Sequence, residues 1–155
     1  MIETKYGKYF LRGAKPGETR KAFIDAVAYL DDDVIKGSFY FTCVYIKPTD
    51  IPRVHGPHTH SHPEILGYFG INPDDPFELG AEIELSMGEE LEKHTFTQST
   101  LVYIPPGLVH CPIKYKKVER PFLFTYSMPV KKLQEKSFKH LVPEEEREDM
   151  VFFDT

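Results

Sequence analysis

From about residue 37 to residue 128, apolar and polar positions alternate in short blocks. Gly37-Ser-Phe-Tyr-Phe-Thr-Cys-Val-Tyr-Ile46 is rich in aromatic and β-branched residues and predicts a strand. Ala81, Ile83, Leu85 and Met87 share one parity, as do Phe122, Phe124, Tyr126 and Met128, which predicts two further strands with one face buried. His94–Thr97 and Ser99–Ile104 read as return strands, and His110 opens another. Lys47-Pro48, Ile51-Pro52, Asn72–Pro76, Gly88-Glu-Glu90 and Pro105-Pro106-Gly107 interrupt these blocks with turn chemistry. Short strands punctuated by Gly and Pro predict an all-β sandwich or small barrel.

The ends of the chain break this rhythm. Residues 1–36 read as an irregular N-terminal extension, with a short strand at Lys8–Arg12 and a turn at Pro16-Gly17. From Thr19 two readings stand. Ala22, Phe23, Ala26, Val27 and Leu30 form a helical stripe; alternatively, Ala26–Leu30 and Asp31–Asp33 form a hairpin into the next strand. Residues 129–155 form a charged C-terminal segment, in which Pro143–Asp149 reads as a solvated tail or short helix. One domain over residues 1–155, with its core at 37–128, accounts for the whole pattern.

Composition narrows the classes of partner. Aromatic content is 14%, carried by Phe and Tyr without Trp, which suits strands. A net charge of −5 argues against a nucleic-acid partner, and Lys114, Lys116, Lys117 and Arg120 read as decoration of an exposed strand and turn. Cys43 and Cys111 do not make a disulfide framework. The N-terminal residues hold no apolar signal core, and no apolar run reaches membrane-spanning length. The expectation is a cytoplasmic protein with no membrane contact.

The chemistry concentrates in two places. His58, His60, His62 and Glu64 lie at alternate positions, so an extended segment running to about Phe69 presents all four on one face. Imidazole and carboxylate on one face suit a divalent transition metal. The Pro105-Pro106-Gly107 turn then aims a returning strand, and His110 with it, at the first cluster.

Both segments resemble the motifs of the cupin superfamily. His58-Thr-His60-Ser-His-Pro-Glu64, closing at Gly70, is similar to the first cupin motif; Pro105-Pro106-Gly107-Leu108-Val109-His110 is similar to the second. Two departures stand out: Gly56 sits close to the first His, and Lys114 stands near the place where the family has an Asn. The long gap between Gly70 and Pro105 implies an extended hairpin at 72–97. The resemblance implies a double-stranded β-helix (a jelly-roll barrel) with metal ligands His58, His60, Glu64 and His110. It implies one divalent metal (Fe, Mn, Ni, Co or Zn), a small-molecule substrate and a homodimer.

Other residues take roles around this set. His62 shares the predicted face but stands outside the motif and is expected behind the ligands or at the cavity mouth; it becomes a ligand if the strand bulges near Pro63. Tyr68 shares the ligands' parity and is expected at the cavity, with Tyr45, Phe124 and Tyr126 as further candidates for it or for plain core. Tyr126 and Arg53 are the substrate-binding candidates. Arg53 is either a loop charge or a bidentate clamp for a substrate carboxylate. His55, His94 and His140 are expected to be ordinary polar residues, although His55 or His94 would suit the cavity rim. Glu82, Glu84, Glu89 and Glu90 read as solvent-facing hairpin charges, and Cys111 is expected to face away from the metal.

Three functions follow from this reading. The first is a metal-dependent dioxygenase acting on a small oxygenated molecule, with Glu64 as a base if it leaves the metal. The second is a redox-neutral isomerase, decarboxylase or lyase using His62 or Tyr68 as a proton shuttle. The third is a non-catalytic module that binds a small ligand.

Overall fold

The computed structural model describes residues 4–12 and 26–155. Its strands are β1 (Ala26–Leu30), β2 (Tyr40–Ile46), β3 (Val54–His55), β4 (His58–Thr59), β5 (Glu64–Gly70) and β6 (Glu78–Met87). β7 (Glu92–Gln98), β8 (Thr100–Ile104), β9 (His110–Val118), β10 (Phe122–Met128), β11 (Lys136–Ser137) and β12 (Met150–Val151) follow. The one α-helix among the described residues, α1, spans only Glu144–Arg147.

The strands form two five-stranded sheets, ordered β1-β2-β10-β5-β8 and β11-β4-β9-β6-β7, and a small pair, β12-β3. Val44, Leu66, Tyr68 and Phe122 of the first sheet meet Leu79, Ile83, Leu85 and Ile113 of the second in one core. The alternation read in β6 and β10 is what aims these side chains inward.

The outer faces differ sharply. On the second sheet Glu84 stands opposite Lys114 in the β6–β9 register and lies near Lys93 and Lys116, at 3.6 and 3.8 Å. On the first sheet the outward positions of β5, β8 and β10 carry Ile65, Gly67 and Phe69, Leu101 and Tyr103, and Leu123, Thr125 and Ser127, without one charge.

Several expectations change. Ala26–Leu30 is a strand paired antiparallel with β2, as the hairpin reading required. The start of the alternative helix, at Thr19–Ile24, lies outside the described residues. Lys8–Arg12 is not a strand; Gly7–Tyr9 forms a 3-10 turn, with Phe10 N–H returning to the Gly7 carbonyl. β2 begins at Tyr40 rather than Gly37, because Gly37 turns the chain with a φ of +89°. Glu84 is buried rather than solvent-facing, held between its lysines.

In the C-terminal segment, residues 143–149 are largely exposed and hold the short helix α1, as the sequence reading allowed, while the residues on either side pack onto β3 and β4. β11 pairs with β4, β12 runs parallel to β3, and Phe138 N–H donates to the Pro57 carbonyl at 2.8 Å. Phe152 packs on Gly56 so closely that a Cβ there would overlap its ring. The segment therefore covers the end of the fold that carries the histidines.

Candidate metal centre

The histidine cluster is not one continuous strand. β4 ends at Thr59 in the second sheet, and residues 60–63 carry the chain across to β5 in the first. A second crossing lies beside it. Pro105-Pro106-Gly107 leads from β8 to β9, with Leu108 N–H donating to the Pro105 carbonyl at 3.2 Å. Gly107 has a φ of +81°, the conformation that glycine supplies after a proline in a type II turn. Gly107 N–H also donates to the His60 carbonyl at 2.8 Å, which ties the crossings together. His58 and His110 are thereby direct cross-strand partners, and Glu64 lies opposite Ile104, just before the second turn.

The outcome is a buried cluster. One ligand atom from each of His58, His60, Glu64 and His110 lies within 4.8 Å of the others. Each imidazole is oriented through Nδ1–H, which donates to a backbone carbonyl: His58 to Gly56 at 2.8 Å, His60 to Gln134 at 2.7 Å, and His110 to Leu108 at 3.1 Å. A carbonyl can only accept, so the hydrogen is assigned to Nδ1 and Nε2 is left to face the centre. Glu64 Oε2 lies 2.9 Å from His110 Nε2 and 3.2 Å from His60 Nε2. His60 Nε2 is buried and makes no aligned hydrogen bond.

The electrostatics agree with a cation site. Burial, with His55 and His110 alongside, pushes His58 well below the usual imidazole range, so it stays neutral and able to ligate. Burial also opposes charge on His60, but the Glu64 carboxylate outweighs it and raises that group. Burial would raise Glu64; the His110 and His60 rings overcome it and hold the carboxyl at about 2. Inward nitrogens beside an ionised carboxylate require a proton or a cation between them, and these four residues can hold a divalent metal.

The cluster borders a cavity of about 80 Å³. That is room for several waters or one small molecule, at about 10–15 Å³ each. Much of its wall is apolar, including Val44, Leu66, Phe124 and Phe153.

The remaining expected residues divide. Arg53 and Tyr126 border the cavity. Arg53 Nη2 donates to the carbonyls of Glu148 and Met150, at 2.7 and 2.9 Å, and so braces the C-terminal segment. Phe124 also lines the cavity, whereas Tyr45 does not. Tyr68 is fully buried in the core, against Phe96 and Phe124, and not at the cavity wall; burial holds its hydroxyl protonated. His62 also lies off the wall, because the crossing after Thr59 breaks the alternation. Its ring stacks on His60, with centroids 5.0 Å apart. His94 is exposed and paired with Glu92, and His140 is exposed.

Two residues depart from expectation in the other direction. Cys111 lines the cavity instead of facing away, because its φ of +74° and a register slip between Leu85 and Met87 break the alternation of β9. Burial pushes its thiol well above the usual range, so it remains a neutral SH. Glu135 stands in the charged C-terminal segment, yet it is buried at the cavity, with Oε1 3.0 Å from His55 Nε2. No motif marks it. The one local hint was that His55 belongs to the histidine-rich stretch and needs a partner.

No protein-family model matches the sequence, and no curated protein shows significant similarity. Solved structures do match. An uncharacterized conserved protein with a double-stranded β-helix domain from Klebsiella pneumoniae is 12% identical, with a TM-score of 0.51 over 88% of this chain and 96% of its own. An oxalate oxidase is 16% identical, with a TM-score of 0.52 over 87% of this chain and 66% of that one. The chain has the double-stranded β-helix fold of the cupins. An oxalate decarboxylase from Lactobacillus farciminis, in complex with formate, matches at 17% identity with a TM-score of 0.51. This chain spans 87% of its own length there, but only 37% of the decarboxylase. Identities this low establish fold and leave activity open.

Proposed function

We propose that this protein is a metal-dependent cupin enzyme acting on a small oxygenated organic molecule, most specifically a dioxygenase. One observation carries the reading: three oriented imidazoles and Glu64 converge at a cavity that has room for a small molecule. His58, His60, Glu64 and His110 would hold one divalent metal, which supplies Lewis acidity toward substrate oxygens and, if iron, dioxygen chemistry.

The chain's own residues set the conditions around it. The carbonyls of Gly56, Gln134 and Leu108 fix the three rings. The apolar wall excludes water and holds the substrate body, with Tyr126 and Arg53 at its polar margin. Glu64 is the base candidate among the ligands.

A redox-neutral reaction is the second reading, and the pair of half-buried His55 and buried Glu135 at the cavity favours it, because it offers proton-handling groups beside the four candidate ligands. The proposed shuttles His62 and Tyr68 do not border the cavity and receive no support from their placement. Elemental analysis followed by oxygen consumption separates the readings. About one iron per chain with substrate-dependent oxygen uptake supports the dioxygenase. Turnover without oxygen uptake supports the redox-neutral enzyme. Metal without turnover of any candidate acid or ketone leaves a binding module, and no metal after reconstitution defeats the proposal.

The homodimer fits the uncharged outer face of the first sheet. Phe41, Ile65, Phe69, Leu101 and Tyr103 are each more than a third exposed there. Together they offer about 500 Å², taking about 200 Å² for a large side chain, against about 800 Å² per partner in a standard interface. Two copies of net charge −5 would meet there without bringing like charges into direct contact. A sedimentation mass of two chains, reduced to one by Leu101→Glu with Tyr103→Lys, is the expected result; a wild-type monomer at micromolar concentration refutes it. Two free, buried thiols fit a reducing, cytoplasmic setting.

A further inference from the structure

Glu135 is the buried acidic group at the cavity that the four-ligand cluster does not use. Its side chain is 1% exposed, and it comes from the C-terminal segment rather than from a barrel strand. Its main chain is pinned on both sides: Glu135 N–H donates to Thr155 Oγ1 at 2.8 Å, and its carbonyl accepts from Thr155 N–H at 3.0 Å. The neighbouring Gln134 carbonyl holds His60, and Lys136 pairs with Thr59. The carboxylate is therefore placed by the same contacts that orient the cluster.

One oxygen is satisfied. Oε1 lies 3.0 Å from His55 Nε2, and the His55 ring stacks on His58 with centroids 3.9 Å apart. Oε2 is buried and has no hydrogen-bond partner among the described residues. A buried carboxylate oxygen without a donor is costly, and a donor arriving with a ligand would repay that cost. A ligand atom of Glu135 also lies within 4.8 Å of one on His58, so a small molecule chelated at the cluster is within reach of it.

We infer that the cavity selects a small molecule that chelates through adjacent oxygens and presents a further hydroxyl or amine donor to Glu135, and that it discriminates against a second carboxylate at that place. The inference rests on the metal reading above. A ligand carboxylate directed at Glu135 would meet a like charge beside a largely apolar wall, where such pairs are unfavourable. Arg53, the cation bordering the cavity, already donates from Nη2 to two backbone carbonyls. The preferred class is a hydroxylated monocarboxylate or hydroxyketone.

The test uses two probes that differ only at the decisive group. 2,3-Dihydroxypropanoate and hydroxymalonate share an α-hydroxy acid; the first carries a CH₂OH where the second carries a second carboxylate. Each is titrated into full-length protein loaded with Co(II), and the visible spectrum of the metal reports entry of the ligand. The wild type is expected to bind the dihydroxy acid at least about tenfold more tightly, and Glu135→Gln to bring the two within about threefold, with cobalt content unchanged. Equal or tighter binding of hydroxymalonate by the wild type overturns the inference and points to Arg53 as a carboxylate clamp. A preference that survives intact in cobalt-loaded Glu135→Gln overturns the role of Glu135. The wild-type comparison decides the selectivity by itself if the variant does not fold. Failure of the wild type to take up cobalt defeats the metal reading, and the inference with it; retained cobalt with no selectivity defeats the inference alone.

Discussion

Two glutamates reach the same cavity from different parts of the chain. Glu64 opens β5, inside the strands that form the core, and one of its oxygens faces two imidazoles. Glu135 arrives on a segment laid across the end of the fold, and it faces one imidazole with an oxygen to spare. The strands build a place for a cation. The segment closes that place and adds a selective wall. The difference teaches that the ligand set and the ligand preference are carried by separable parts of the chain, joined by the Gln134 carbonyl on His60 and the Phe152 ring on Gly56.

The largest effect should come from breaking the strand side. His58→Ala combined with His110→Ala is expected to take the protein from about one metal per chain to essentially none by elemental analysis, because the variant keeps only two of the four ligands. Glu135→Gln in the same assay should leave the metal in place; loss of metal there would merge the two regions into one.

Separating the segment from the strands is the next test. Gly56→Ala places a methyl into the Phe152 ring. A loss of about 1–3 kcal/mol is expected in urea unfolding, together with faster proteolysis confined to residues 131–155. Unchanged stability and protease resistance would mean that the segment does not depend on this contact.

A smaller cost is expected at the second crossing. Gly107→Ala asks a side chain to adopt a φ of +81° where no atom crowds it, so the penalty is conformational, about 1–2 kcal/mol. Metal affinity should fall as well, because the turn positions His110. A change in stability with affinity intact would separate the turn from the site.

The last test concerns pH in the metal-free protein. Glu64 is held at about 2 in the fold against an ordinary 4.5. A depressed carboxyl stabilises the fold fully above about 4.5 and loses that contribution as pH falls toward 2. Glu64→Gln should therefore flatten this part of the acid limb of the unfolding curve. An acid limb of unchanged slope would show that the His60 and His110 contacts do not set Glu64 in solution.

The convergence of His58, His60, Glu64 and His110 was legible because their spacing sits on turns that sequence describes well. Pro105-Pro106-Gly107 specifies its own φ values, and His58, His60 and Glu64 lie near enough in sequence to meet wherever the chain goes next. Strand alternation alone does not explain their convergence. A single strand with period two would have placed His62 and Tyr68 with them. The chain instead changes sheets at residues 60–63, so His62 stacks behind His60; Tyr68 keeps the inward face of Glu64 on β5 but stands further along the strand, in the core. Cys111 was misplaced for a related reason, since alternation fails where a residue takes a positive φ.

Sequence alone determined the β architecture and the chemical character of the site, because period-two burial, turn residues and short-range ligand spacing are local properties. Only the tertiary structure decided which side chains share the cavity. Glu135 is 71 positions from Glu64 and stands in a stretch whose composition suits solvent equally well. Its burial depends on β11 finding β4 and on Phe152 finding a glycine, and contacts between such distant parts of a chain leave no periodic trace in either.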